Sequence, residues 1–82
     1  MDNNSINTLD IRGLCWGPPV LAVVGKLKTL KPEDMLMVVS DKESMLNDIP
    51  SVCSLINTKL LNTIKLNDLY MFLIQNKKWA SA

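Results

Sequence analysis

The sequence contains no histidine among its 82 residues, and this absence excludes much of enzyme chemistry. Histidine is the commonest general base near neutral pH and the commonest metal ligand. Catalytic Ser-His and Cys-His pairs are therefore excluded. Only two cysteines are present, too few for the disulfide framework of a small secreted domain or for a four-ligand zinc site. We expect both thiols to be reduced, and we expect no metal and no cofactor.

The chain also lacks an excess of charge of either sign. Nine Lys and Arg residues against eight Asp and Glu give a net charge of +1, which creates no long-range field to attract nucleic acid or acidic membranes. No apolar run approaches the roughly 20 residues of a membrane span, and the first residues do not resemble a secretory signal. We expect a cytoplasmic protein that binds neither nucleic acid nor membrane directly.

What is present is typical of one soluble globular domain. Apolar residues make up 48% of the chain and charged residues 21%. We expect residues 1–7 to form a flexible, Asn-rich tail, residues 8–78 to form a single domain and residues 79–82 to form a C-terminal tail. We also expect the protein to be a monomer.

Hydrophobic periodicity predicts a strand followed by a helix in the first part of the chain. Residues 8–11 alternate polar with apolar side chains, as a half-buried strand does. Pro18 and Pro19 suit the first turn of a helix, where the missing proline N–H costs little. Apolar side chains then recur at helical spacing from Val20 to Leu27.

Four further elements are predicted in the second part of the chain. Residues 35–39 are a continuous apolar run, typical of a strand buried on both faces. Asp48 is a suitable N-cap for a second helix. Residues 59–65 and 69–75 read as two strands joined by a tight turn at residues 66–68. The order β-α-β-α-β-β predicts an α+β fold, a two-layer sandwich with the helices packed on one face of the sheet.

The two cysteines differ in their surroundings. Cys53 lies on the apolar stripe of the second predicted helix, together with Ile49, Val52 and Ile56, where a free cysteine usually behaves as a small buried hydrophobic residue. We interpret it as a structural thiol.

Cys15 lies in a Gly- and Pro-rich loop that leads into a helix N-terminus. The helix dipole favours an anion there, and it can increase the thiolate fraction of a nearby thiol. A half-buried loop cysteine with no chemical role fits the same position equally well. Trp16 beside it is either an anchor for a partner protein or a cover over the edge of the core. Asp10 and Arg12 could be functional, but hydrogen bonding at the loop edge explains them as well.

Three segments resemble the TusA/SirA-like sulfur-carrier proteins. They are Leu9-Asp10-Ile11-Arg12-Gly13-Leu14, Pro19-Val20-Leu21 and Asp48-Ile49-Pro50-Ser51-Val52-Cys53. The resemblance extends from about Leu9 to Lys77. It implies two helices on one face of a four-stranded mixed sheet, in agreement with the order derived above.

The resemblance also implies a function. In this family a loop cysteine carries sulfane sulfur as a persulfide, which it receives from a donor such as a cysteine desulfurase and passes to an acceptor protein, in tRNA thiolation or other sulfur metabolism. By resemblance, Cys15 is the catalytic thiol. The residues around it are candidates for contacting the partners: Arg12, Trp16, Gly17, Pro18 and Pro19.

The family motif Gly-Leu-x-Cys-Pro-x-Pro is altered in this chain. An ungapped match places Trp16 at the cysteine position, whereas a shift of one residue makes residues 15–18 the counterpart of Cys-Pro-x-Pro. Loops tolerate such shifts. Two functions therefore remain open: a sulfur carrier that uses Cys15, and a divergent member that has lost transfer and serves as a protein-binding or regulatory module.

Overall fold

The computed structural model describes residues 6–14 and 18–77. Six elements follow one another in this part of the chain. They are β1 (Ile6–Asp10), α1 (Pro19–Thr29), β2 (Met35–Ser40), α2 (Met45–Ile56), β3 (Lys59–Leu66) and β4 (Leu69–Gln75).

The four strands form one mixed sheet in the order β1-β2-β4-β3. β1 and β2 are parallel, whereas β4 is antiparallel to both β2 and β3. Side chains from one face of the sheet and from both helices form the core. The predicted α+β fold, with two helices and a four-stranded mixed sheet, is confirmed.

The first two strands differ in detail from the prediction. β1 begins at Ile6, so Ile6 and Asn7 belong to the sheet and not to the N-terminal tail. In β2, buried and half-buried residues alternate. The prediction that residues 35–39 are buried on both faces was therefore wrong, because the helices cover only the face that carries Leu36 and Val38.

α1 ends where its last carbonyl groups find partners outside the helix. Leu30 adopts an extended conformation, and its N–H donates to the Leu27 carbonyl. The Asn76 side-chain amide, which follows β4, donates to the carbonyls of Leu27, Leu30 and Lys31 at 3.0, 3.1 and 3.1 Å. A residue far along the chain thus satisfies the helix C-terminus.

α2 begins at Met45, three residues before the predicted cap, so the prediction that Asp48 is the N-cap was wrong. Asp48 instead lies in the first turn, where its charge suits the helix dipole. Met45 is fully buried, so a helix that begins there places an additional apolar side chain in the core. Pro50 lies inside the helix, where it has no N–H to donate to the preceding turn. The helix ends at Asn57, which adopts the left-handed conformation (φ 60°) common at helix C-termini.

β3 and β4 form the predicted hairpin with a shorter turn than expected. Leu66 pairs with Leu69, so only Asn67 and Asp68 lie in the turn. Asn67 has φ 53°, a conformation that asparagine tolerates better than most residues. A bulge between Leu60 and Asn62 changes the register of β3.

Candidate functional site

The candidate site lies where the chain leaves β1 and enters α1. Cys15, Trp16 and Gly17, three of the predicted site residues, lie outside the described residues. Arg12, Pro18 and Pro19 are described and flank this segment on both sides. The described residues therefore define the two ends of the site.

A tight turn holds the chain directly before Cys15. The N–H of Ile11 donates to the Val39 carbonyl at 2.8 Å, which extends the pairing of β1 with β2 by one residue. The N–H of Leu14 then donates to the Ile11 carbonyl at 3.2 Å, and Leu14 packs against the core. Gly13 has φ 75°, which glycine adopts without the strain of other residues. The chain is thus anchored in the core immediately before the cysteine.

Asp10 and Arg12 form a bidentate ion pair across this turn. Arg12 Nη2 lies 2.7 Å from Asp10 Oδ2, and Arg12 Nε donates to both carboxylate oxygens at 2.9 and 3.1 Å. The backbone N–H of Arg12 also donates to Oδ1 at 3.0 Å. Both side chains are exposed. Most of the hydrogen-bonding capacity of the carboxylate is thereby used within the turn.

Hydrogen bonds from Arg12 lower the pKa of Asp10 from 3.8 to about 2. Because the folded pKa is depressed, the pair stabilises the turn above pH 3.8, and this contribution is lost as the pH falls through about 2. We expect NMR titration of the Asp10 carboxyl carbon to give a midpoint near 2. Arg12→Ala should return the midpoint toward 3.8. An unchanged midpoint in that variant would show that the Arg12 side chain is not the cause.

The start of α1 favours an anion, although it offers few N–H donors. Pro18 is the N-cap, with φ −69° and ψ 130°, and makes no side-chain capping hydrogen bond. The N–H of Leu21 is used within the helix, since it donates to the Pro18 carbonyl at 3.1 Å. Prolines at positions 18 and 19 have no N–H to donate. No acidic residue lies in the first turn, so the positive end of the helix dipole is not compensated by a carboxylate of the helix.

Leu21 is a surface residue that the sequence did not identify as part of the site. Its side chain is 63% exposed on the first turn of α1, although leucine at helical spacing usually indicates the core. Its neighbours Val20 and Ala22 pack against the core, whereas Leu21 points away from it. It therefore offers an apolar contact on the first turn of α1, the helix that follows residues 15–17 in the chain.

Cys53 occupies the position expected of a structural thiol. It lies on α2, is 3% exposed and belongs to the core cluster. Burial raises the pKa of its thiol, and a weaker interaction with Thr58 opposes that shift. A raised pKa lowers the thiolate fraction at neutral pH. We therefore expect Cys53 to react slowly with alkylating reagents in the folded protein.

We expect Cys53→Ser to destabilise the domain by roughly 1–3 kcal/mol, because a buried hydroxyl is poorly compensated in the core. Urea unfolding followed by circular dichroism measures the change. The fold should persist, since the side-chain volume changes little. A free energy of unfolding equal to that of the wild type would contradict the burial of this side chain.

Two further observations concern the described residues. Within residues 6–14 and 18–77, no helix has the length and apolar character needed to cross a membrane. In the same ranges, acidic and cysteine side chains do not gather in groups of three or more that could hold a metal ion.

The comparison with known proteins assigns the family. No protein-family model matches the chain. The sulfur carrier protein TusA of Buchnera aphidicola subsp. Baizongia pistaciae (strain Bp) is 32% identical over 69 residues, which are 84% of this chain and 87% of that protein. The matched region covers most of both chains, so the similarity concerns the whole domain. This chain belongs to the TusA family of sulfur carrier proteins.

Proposed function

We propose that this protein carries sulfane sulfur as a persulfide on Cys15 and relays it from a donor protein to an acceptor protein. The similarity to the TusA sulfur carrier is the observation that supports this function most strongly. A cysteine desulfurase is the kind of donor that we propose.

The chemistry needs only a thiolate and a partner persulfide. The Cys15 thiolate attacks the outer sulfur of the donor persulfide, so a new S–S bond forms on Cys15 and the donor S–S bond breaks. The donor cysteine leaves as a thiolate. One sulfur atom moves between two cysteines without net oxidation, and the reverse attack by an acceptor thiolate releases it. No histidine, metal or cofactor takes part.

The described residues that follow positions 15–17 in the chain favour a reactive thiol. The first turn of α1 contains no acidic residue, so its helix dipole favours negative charge before the helix. Arg12 contributes less to stabilising a thiolate, because its charge is already paired with Asp10. The helix dipole is therefore the principal favourable electrostatic effect that the described residues supply.

Partner recognition is proposed to use the residues around the thiol. Trp16, Gly17, Pro18, Pro19 and Arg12 stay our candidates, and the exposed Leu21 joins them. Leu21 suits this role because its apolar side chain is exposed on the first turn of α1, and such a side chain loses water contact when a partner docks.

The test separates loading from docking. After incubation with a small persulfide donor and removal of excess reagent, intact-protein mass spectrometry should show a gain of about 32 Da, the mass of one sulfur, on Cys15. Peptide mapping locates the added sulfur. No gain on Cys15 would overturn the proposal and favour a binding module without sulfur transfer.

Leu21→Gln, which adds no charge to the first turn of α1, should load normally with the small donor but accept sulfur more slowly from a cysteine desulfurase. The matched control is Leu55→Gln, because Leu55 is 81% exposed on the other helix, away from the first turn of α1. Equal transfer rates for both variants would remove Leu21 from the docking surface without affecting the role of Cys15.

A further inference from the structure

The face of the sheet that points away from the helices is apolar and uncovered by any other described part of the chain. We call it the open face. Its members alternate with the helix-facing residues along β1, β2 and β4, and their partners in the β4 pairing place those of β3 on the same face. They are Ile6, Thr8 and Asp10 of β1; Met35, Met37 and Val39 of β2; Leu69, Met71, Leu73 and Gln75 of β4; and Lys59, Asn62, Ile64 and Leu66 of β3.

The two central strands carry the pattern of strands covered on both sides. β2 and β4 are almost continuously apolar, which is typical of strands with a layer packed on each face. The helices supply only one of those layers. Ile6 and Leu66, at the two edges of the open face, remain 60% and 54% exposed. Contiguous apolar surface of this kind usually marks an interaction site.

Charge on the open face is confined to two diagonally opposite corners. Across the sheet, Ile6, Met35, Gln75 and Lys59 form one row, and Asp10, Val39, Met71 and Ile64 form another. Lys59 therefore lies at one corner and Asp10 at the opposite one. At the Asp10 corner, Arg12 is paired with Asp10, and the charge of Asp41 also acts on Arg12. The centre of the face holds no charged residue.

We propose that the open face binds the open face of a second copy of this chain, forming a reversible two-fold dimer. Sheets pack face to face either aligned or crossed near 90°. In the crossed arrangement, a two-fold axis along the diagonal from Ile6 to Ile64 places Lys59 of each copy over the Asp10 corner of the other. The apolar centres then meet, with Met37 close to its counterpart, and no unpaired like charges oppose each other.

The size of the face determines how strong this association can be. Four strands about 4.8 Å apart and about five residues long present a flat area of roughly 300–400 Å². With side-chain relief, two copies bury on the order of 1,000 Å² in total, at the lower limit for specific interfaces. The dimer should therefore form at micromolar or higher concentration, in contrast to the monomer expected from the sequence.

Sedimentation equilibrium tests the proposal on the full chain between about 20 µM and about 1 mM, the range in which a weak interface populates. The wild-type mass should rise from one copy toward two. Met37→Lys places an unpaired charge at the centre of the interface and should raise the dimer dissociation constant at least about tenfold. Leu55→Lys, which adds the same charge to exposed α2 surface, should associate like the wild type.

Concentration-dependent amide NMR shifts of the wild type supply a second readout that needs no variant. Shifts confined to the four strands support the dimer, and they provide the test if Met37→Lys fails to fold. A wild-type mass of one copy at every concentration overturns the proposal and favours a different protein as the occupant. So does a folded Met37→Lys protein that dimerises as well as the wild type, or a set of shifts confined to the helices.

Discussion

Replacing Cys15 with serine is expected to abolish persulfide loading completely while leaving the fold intact. A serine hydroxyl does not accept sulfane sulfur, so the gain of about 32 Da after treatment with a persulfide donor should disappear. The chain on either side is held by the core contact of Leu14 and by the start of α1. A substitution of similar size in the connecting segment should therefore leave the unfolding midpoint nearly unchanged.

Cys53→Ser is the matched control, because it removes the other thiol of the chain and keeps Cys15. It should load fully, although it is less stable. Cys15→Ser should thus lose sulfur loading but keep its stability, whereas Cys53→Ser should keep sulfur loading but lose stability. Sulfur added to Cys53 in the Cys15→Ser variant would show that the buried thiol is accessible and would contradict the assignment of the carrier to Cys15.

The pH dependence of Cys15 alkylation tests the electrostatic part of the proposal. We expect a midpoint below the ~8.5 of a free cysteine, because the N-terminus of α1 favours the thiolate. Desolvation by the neighbouring Trp16 would act in the opposite direction and raise the pKa. A midpoint at or above the free value would mean that the helix does not activate the thiol, and it would favour the binding module.

The second large effect is expected for Asn76→Asp. Asn76 is 3% exposed, and its amide group donates to three carbonyl oxygens at the end of α1. A carboxylate there can donate to none of them and places a buried negative charge against the negative end of the helix. We expect a loss of about 3–5 kcal/mol at neutral pH, measured by urea unfolding.

The pH dependence of that loss identifies its cause. The carboxyl of the variant should have a folded pKa raised above its unfolded value of about 3.9, so the variant should recover stability relative to the wild type as the pH falls from 7 toward 4. Asn62→Asp is the control, since Asn62 is exposed and its side-chain oxygen, which accepts the Thr63 N–H at 2.9 Å, is retained. An equal loss in both variants would exclude the capping role of Asn76.

Most of the architecture followed from periodicity in the sequence. Apolar spacing predicted the type and order of all six elements, because helix and strand periods differ and each element must bury one face. The errors occurred where tertiary burial outweighed a local signal. Asp48 is a good cap by residue type, but α2 starts earlier because Met45 reaches the core.

The candidate site was predictable in residue type but not in geometry. The sequence identified Cys15, and the relative supports the family, while the role of Cys15 itself stays a prediction. The sequence predicted that Arg12 contacts partners, and this stays a prediction. In the fold, the Arg12 guanidinium forms an ion pair with Asp10. Leu21 could not have been found, because periodicity alone does not tell which apolar residues of a short helix face outward.

The sequence by itself determined the α+β fold, the absence of histidine chemistry and the place of one candidate thiol, Cys15, between the first strand and the first helix of the chain. These properties depend on composition and on contacts between residues close in the chain. Only the tertiary structure decided that Asn76 caps α1, that Asp10 binds Arg12, and that the described residues cover β2 on one face alone. A continuous apolar strand is compatible with one covering layer or two, and the number of layers depends on where the helices pack.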